Sequence, residues 1–200
     1  MHWKVRSTWH RIHLDAYAAD QFNPGIRGDA RFSPITNARG KAIPTLYGGS
    51  TFECAAMETV FHDVPFAPGY KSFDKAKLTH QMHSELTVTC DLVLADLRSK
   101  ALRRLGVTRK QLIDTERGQY PATRSWAAAI HAQCPDVQGL CWTSRQDDSA
   151  QAVMLFGDRV ASAALRPKGD SRHLLDDEAA YSELLELAEK IGVDIVPGRS

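Results

Sequence analysis

Apolar and polar positions along this chain form short runs typical of strands, separated by segments with helical signals. The longest run covers residues 84–97, where Leu86, Val88, Cys90, Leu92 and Leu94 alternate with their neighbours. This alternation predicts one long, half-buried strand. Shorter apolar runs predict the other strands, at residues 11–14, 30–32, 42–47, 139–144, 152–156 and 159–165.

Helix-start signals predict helices over residues 50–62, 108–114 and 121–134. The first opens with the capping box Ser50-Thr51-Phe52-Glu53, in which the first and last side chains satisfy helix N–H groups. Thr108 is suited to cap the second helix, and Pro121 fits the first turn of the third.

A last helix is predicted over Asp176–Ile191, with Gly192 as its stop. Leu184, Leu187, Ala188 and Ile191 share one of its faces, which would suit either the core or an interface between copies of the chain. VDIVP then predicts a final strand.

Helices stand between the strands without a regular strand–helix–strand alternation. The pattern predicts an α+β domain with a mixed, mostly antiparallel sheet and interspersed helices. We expect one domain over residues 1–200, with a core at about 9–165 and a C-terminal helix and strand at 174–197 packed on it.

Composition and charge narrow the functional classes. The 200 residues carry 25 Lys+Arg and 24 Asp+Glu, a formal net charge of +1, which disfavours broad electrostatic binding of nucleic acid. No apolar stretch approaches the ~20 residues of a membrane-spanning helix, and the first residues lack an apolar signal-peptide run. We expect a cytoplasmic protein without direct nucleic-acid or membrane contacts.

Metal-site spacings and the common catalytic signatures are missing. The four cysteines are scattered, so no metal site is expected. His80 and His83 form a lone H-x-x-H in a polar connection and are predicted to be a surface pair. There is no Rossmann, Walker, zincin or α/β-hydrolase motif in the chain.

The remaining candidates are dispersed polar and aromatic side chains, each of which alone also has an ordinary structural interpretation. They are Arg31, Tyr47, Glu58 and Ser144, followed by His62 and Arg145.

The order and context of these residues resemble the RES-domain family, whose name comes from an Arg, a Glu and a Ser. The matching segments cover about four-fifths of the chain: WHRIH (9–13), ARFSP (30–34), TLYGGSTFECAAMETVFH (45–62), YPATRSWAAAI (120–130), GLCWTSR (139–145) and VMLFGD (153–158). Members are typically toxins of bacterial type II toxin–antitoxin pairs, neutralised by an Xre-like helix-turn-helix antitoxin.

The resemblance implies an ADP-ribosyltransferase-like fold and cleavage of the nicotinamide–ribose bond of NAD⁺, which is the substrate, so no cofactor is expected. Glu58 would stabilise the positive charge that develops on the ribose, and Arg31 would bind the diphosphate. Tyr47 would stack on a ring of the substrate, and Ser144 would hydrogen-bond the carboxamide or a ribose.

Further roles and alternatives stay open at this point. His62 would orient Glu58, and Arg145 would contact phosphate. The acceptor of the ADP-ribosyl group could be water (a glycohydrolase), phosphate (a phosphorylase) or a specific protein (an ADP-ribosyltransferase). A nucleotide- or partner-binding module with little turnover is the alternative of another class, and a homo-oligomer is possible.

Overall fold

The structure is a computed structural model that describes residues 1–198 of the chain. Its helices are α1 (Phe52–Thr59), α2 (Ser99–Arg104), α3 (Arg109–Leu112), α4 (Tyr120–Gln133) and α5 (Glu178–Lys190), with short 3₁₀ turns at Lys75–Leu78 and Arg117–Gln119. Its strands are β1 (His2–Trp3), β2 (Thr8–Leu14), β3 (Ile35–Thr36), β4 (Ala42–Ile43), β5 (Thr45–Gly49), β6 (Lys71–Asp74), β7 (Gln81–Val88), β8 (Leu92–Asp96), β9 (Gly139–Thr143), β10 (Gln151–Phe156), β11 (Leu165–Pro167), β12 (Arg172–His173) and β13 (Val193–Val196).

The main sheet contains nine strands in the order β1-β8-β9-β10-β5-β2-β7-β11, with β12 also paired to β7. All of its pairs are antiparallel except β8 with β9. The prediction of an α+β domain with a mixed, mostly antiparallel sheet is therefore confirmed.

Both faces of the central strand β10 are buried. Ala152, Met154 and Phe156 point into one apolar cluster, together with Phe32 and Trp142. The alternate residues of the strand point into a second cluster, which contains Trp9, Leu46 and Leu86. A strand covered on both sides reads as a continuous apolar run, which explains the sequence QAVMLF.

The C-terminal helix packs on the rest of the chain. Ala180, Leu184, Leu187 and Ala188 of α5 are buried in a third cluster with residues of α1. The following strand β13 pairs in parallel with β6. The apolar face of α5 thus belongs to the core in this structure.

Two glycines at the end of β5 allow the Trp9 side chain of β2 and the start of α1 to approach the strand closely. A Cβ on Gly48 would lie 2.0 Å from Trp9 Nε1, and one on Gly49 would lie 2.9 Å from the Cys54 sulfur. Only a residue without a side chain fits such close approaches. The first turn of α1, which contains Cys54, thereby lies directly against Gly49.

Three sequence-predicted strands differ from the structure. The run 84–97 is split into β7 and β8, because residues 89–91 form a turn in which Cys90 is exposed. Residues 30–32 form no strand, and residues 159–164 are mostly turn, so that only β11 remains of the last run.

The predicted boundaries of α1 also change. Its cap is Thr51, which accepts from Cys54 N, whereas Ser50 accepts from Gln151 N. The helix ends at Thr59 rather than at His62.

The prediction that His80 and His83 form a surface pair is wrong. His80 is exposed, whereas His83 is only 2% exposed inside β7.

Candidate active site

Arg31, the first candidate residue, lies on the irregular segment between β2 and β3. Its carbonyl accepts a short hydrogen bond from the Thr123 hydroxyl of α4. On either side, Arg124 Nε donates to Ala30 O at 3.0 Å, and Phe32 N donates to the Tyr47 hydroxyl at 3.3 Å. The backbone around Arg31 is therefore fixed by one helix and one strand.

The guanidinium of Arg31 is buried and has few partners. The residue is 5% exposed. Arg31 Nη1 lies 3.8 Å from Glu58 Oε2, and the Tyr120 ring centroid lies 6.0 Å from its Cζ. Among residues 1–198, Nε and Nη2 of Arg31 find no hydrogen-bond partner. Buried donors without partners are costly in a folded protein and usually mark a functional requirement.

Glu58 is held in the last turn of α1 by the end of β9. Its Oε1 accepts from the Ser144 hydroxyl at 2.6 Å and from Arg145 N at 3.1 Å. Its Oε2 faces Arg31. One carboxylate oxygen is thus anchored by the protein, while the other lies 3.8 Å from Nη1 of the Arg31 guanidinium.

Ser144 lies behind Glu58 rather than at the cavity surface. It is fully buried, and its oxygen accepts from Gln146 N and Asp147 N, both at 3.0 Å, while its hydroxyl hydrogen goes to Glu58. Arg109 donates to the carbonyls of Thr143 and Ser144. The geometry makes Ser144 a positioning residue for the carboxylate.

Tyr47 supports the Arg31 segment through its hydroxyl and stands edge-on to Trp142, with ring centroids 6.4 Å apart. Desolvation of the phenol raises the pKa of Tyr47 to about 12. The hydroxyl therefore stays protonated and neutral at physiological pH.

A cavity of about 480 Å³ opens over these residues, a size usual for small-molecule sites. Arg31, Tyr47, Glu58 and His62 all line it, so the structure brings these four sequence candidates together. Four arginines and two carboxylates are among the lining residues: Arg11, Arg27, Arg31 and Arg117 with Asp29 and Glu58. The excess of cations favours an anionic ligand.

Ser144 and Arg145 take other places. Ser144 is outside the cavity wall, as described above. The Arg145 side chain donates to Thr115 O at 2.7 Å and to Glu116 Oε1 at 2.8 Å, and it lines a second cavity of about 500 Å³. Its backbone N–H, rather than its guanidinium, contacts Glu58.

His62 has partners other than Glu58. Its Nε2 lies 3.3 Å from the Tyr120 hydroxyl, and its Nδ1 lies 3.0 Å from Asp63 Oδ1. Because α1 ends before His62, the helical spacing that would bring it to Glu58 is lost. It lines both cavities.

Sequence reasoning assigned no role to three residues that the structure places at the site. Tyr120 and Trp142 line the cavity, and so does Arg11, whose guanidinium donates to Ala19 O at 2.6 Å. Burial lowers the pKa of Arg11 to about 10. All three residues lie in matched segments, WHRIH, YPATRSWAAAI and GLCWTSR, but nothing in the pattern shows that they face a cavity.

The chain matches the model of a known protein family. The model described as "RES domain" matches residues 8–177. The chain belongs to the RES-domain family. The resemblance inferred from the sequence is therefore confirmed, and all six candidate residues of this RES domain lie within the matched region. No curated protein matches it.

This RES domain is also similar to a solved structure, described as the M. tuberculosis MbcT-MbcA toxin-antitoxin complex. The TM-score is 0.63 and the identity 16%, over 92% of this chain and 91% of that chain. The likeness extends over almost the whole length of both chains and shows a shared fold.

Two absences concern only residues 1–198. None of the helices there has the length and apolar character to cross a bilayer. Nor do the His, Cys, Asp and Glu side chains of this part form a cluster suited to a metal ion.

Proposed function

We propose that this protein is the toxin of a bacterial type II toxin–antitoxin pair and that it degrades NAD⁺ by cleaving the nicotinamide–ribose bond. The observation that carries the proposal is the buried guanidinium of Arg31, which keeps two donors unpaired next to an anchored carboxylate inside a cavity. A bound diphosphate would supply the missing acceptors, and a guanidinium matches its geometry better than an ammonium would.

The carboxylate of Glu58 fits the bond-breaking step. Cleavage places positive charge on the ribose C1′ while the departing nicotinamide becomes neutral. A fixed negative charge beside C1′ stabilises that transition state, as in glycoside hydrolysis. Anchoring by Ser144 and Arg145 N keeps the carboxylate in place before the reaction, so little reorganisation is required.

Aromatic side chains supply the apolar part of the site. Tyr47, Tyr120 and Trp142 line the same cavity, and flat rings of this kind bind a nicotinamide or adenine base by stacking or edge contacts. NAD⁺ is the substrate in this account, and the reaction requires no cofactor.

The partner belongs to the same proposal. The similar M. tuberculosis structure is a toxin–antitoxin complex, and RES toxins are typically paired with an Xre-like antitoxin. An antitoxin segment that covers the Arg31–Glu58 cavity would exclude NAD⁺, and saturating NAD⁺ should then compete with it. Direct contact of this chain with nucleic acid is not expected, and its cytoplasmic location and oligomeric state remain predictions.

The direct test is incubation of the purified protein with NAD⁺, with and without inorganic phosphate, followed by chromatography of the products. Free ADP-ribose identifies a glycohydrolase, and phosphate-dependent ADP-ribose 1-phosphate identifies a phosphorylase. A labelled protein in a cell extract without free product would identify a protein-modifying ADP-ribosyltransferase instead. If a folded sample leaves NAD⁺ intact in all conditions, the degradation proposal is wrong.

A further inference from the structure

Tyr120, His62 and Asp63 form a hydrogen-bonded chain that the bond-breaking step does not use. The Tyr120 hydroxyl lies 3.3 Å from His62 Nε2, and His62 Nδ1 lies 3.0 Å from Asp63 Oδ1. Tyr120 is 2% exposed and stands at the first turn of α4, whereas the His62 side chain is 26% exposed. The chain therefore runs from the interior of the site toward solvent.

The direction of the hydrogen bonds follows from the acceptor at the end. An ionised carboxylate only accepts hydrogen bonds, so His62 Nδ1 carries the proton that Asp63 receives. The hydrogen bond from His62 lowers the pKa of Asp63, which keeps this carboxyl ionised. In the tautomer that carries its proton on Nδ1, the Nε2 of His62 can accept the Tyr120 proton.

The groups facing the hydrogen-bonded Tyr120–His62–Asp63 chain come from four separate segments of the protein. Arg117 Nη2 lies 3.8 Å from Asp63 Oδ2, and Gln146 Nε2 donates to His62 O. On the other side, Arg31 stands over the Tyr120 ring, with Glu58 beyond it. The imidazole thus has the Asp63 carboxylate on one side and the Tyr120 hydroxyl on the other.

Tyr120 lines both cavities. The second cavity, of about 500 Å³, shares His62, Arg117 and Tyr120 with the first. A molecule entering through the second cavity would pass the phenol before it reached a ribose held next to Glu58. This position suits an acceptor that attacks as nicotinamide leaves.

We propose that Tyr120, backed by His62 and Asp63, activates a water molecule that enters from the second cavity, so that water is the acceptor. The inference rests on the proposed cleavage of NAD⁺. An oxygen lone pair of water forms the bond to C1′, and the electron pair of the broken bond goes to the pyridinium nitrogen. The water proton passes to Tyr120 Oη, whose own proton passes to His62 Nε2 and then to solvent, leaving ADP-ribose and nicotinamide.

The charges of the second cavity favour water over phosphate. Its two arginines already have carboxylate partners, since Arg145 pairs with Glu116 at 2.8 Å and Arg117 lies 3.4 Å from Asp29. An incoming phosphate would have to displace them. A phosphate dianion also needs no proton acceptor, whereas the attack of neutral water is faster when a base accepts its proton.

The experiment compares the wild-type protein with Tyr120→Phe and His62→Gln, and with Tyr70→Phe as the control, since Tyr70 is exposed and outside both cavities. Nicotinamide release and the ratio of ADP-ribose to ADP-ribose 1-phosphate are measured in phosphate buffer. We expect both site variants to form ADP-ribose at least about tenfold more slowly, with KM for NAD⁺ within about twofold. Their residual product should shift toward ADP-ribose 1-phosphate, because attack by phosphate does not use the base.

Other results overturn the inference in distinguishable ways. If nicotinamide is released but both variants keep the wild-type rate and product ratio, the hydrogen-bonded chain of Tyr120, His62 and Asp63 has no role in acceptor activation. A wild-type protein that makes only ADP-ribose 1-phosphate also contradicts it. If the wild-type protein releases no nicotinamide, the proposed function itself fails. His62→Gln removes the group that accepts the Tyr120 proton without altering the buried phenol, so the test stands even if Tyr120→Phe is unstable.

Discussion

The Ser144 hydroxyl donates a 2.6 Å hydrogen bond to Glu58, a residue 86 positions earlier in the chain. This contact joins the end of β9 to the last turn of α1 and decides where the carboxylate points. The same serine oxygen accepts two backbone N–H groups of the following turn. The serine therefore acts on the site from behind the cavity wall.

Ser144→Ala should lower kcat for NAD⁺ cleavage about 10- to 100-fold, because a displaced catalytic group of even 1 Å can cost ~100-fold. Binding of NAD⁺ should change little, since Ser144 does not line the cavity. Steady-state kinetics and calorimetry test this against Ser149→Ala, which removes an exposed hydroxyl bonded to Asp147. An equal loss of affinity and turnover would instead indicate a direct substrate contact.

Arg31→Lys should weaken NAD⁺ binding at least about tenfold, because a lysine keeps the charge but loses the paired donors of the guanidinium. The kcat at saturating NAD⁺ should fall less. Calorimetric titration measures the dissociation constant, and Arg103→Lys, at an exposed position of α2, is the matched control. Normal affinity with a purely kinetic defect would contradict a role in binding the diphosphate.

Gly48→Ala should destabilise the fold by about 1–3 kcal/mol or more, since its Cβ would lie 2.0 Å from Trp9 Nε1. Urea unfolding gives the free energy. Gly118→Ala is the control, because its Cβ would meet nothing within 4 Å, and we expect no loss of stability there. Equal stability of the two variants would show that Trp9 can move away without cost.

Stability should fall as the pH drops from about 6.5 to about 4, in part through His83. Burial lowers the pKa of His83 to about 4, with His10 and Arg172 adding to the effect. In this window the His83 imidazole binds a proton in the unfolded chain but not in the folded protein, so the free energy of unfolding decreases toward acid pH. Above the unfolded pKa of about 6.5 this contribution is fully present.

Urea unfolding at several pH values tests this dependence. His83→Gln should flatten the slope between pH 4 and 6.5, whereas His80→Gln, at an exposed position, should not. A wild-type slope in His83→Gln would assign the pH dependence to other groups.

The sequence was most informative where local signals decide the structure. Thr108 and Pro121 predicted the starts of α3 and α4, and Gly192 follows α5 with a φ of +66°. The error at residues 84–97 has a simple cause, because the turn at 89–91 has an odd number of residues and preserves the alternation. His83 is buried because His10 of β2 and Phe52 of α1 pack against its ring, which no local pattern reveals.

In the candidate site, too, some residues could be predicted from the sequence, whereas others depend on tertiary packing. Of the residues that line the cavity, Arg31, Tyr47, Glu58 and His62 were predicted from motif order. Arg11, Tyr120 and Trp142, which also line it, were not. The contacts of Ser144, His62 and Tyr120 join distant parts of the chain, and their direction depends on how α1, α4 and β9 pack. Such tertiary contacts cannot be derived from spacing along one sequence.

The central claim is tested most directly by nicotinamide release from NAD⁺ by the wild-type protein, Glu58→Gln and Glu53→Gln, with NAD⁺ binding measured in parallel. Glu53 is a half-exposed carboxylate on the same helix, paired with Lys190, and is the matched control. We expect wild type and Glu53→Gln to release nicotinamide at similar rates, and Glu58→Gln to bind NAD⁺ but to turn over at least about 100-fold more slowly. Wild-type turnover in Glu58→Gln would contradict the account.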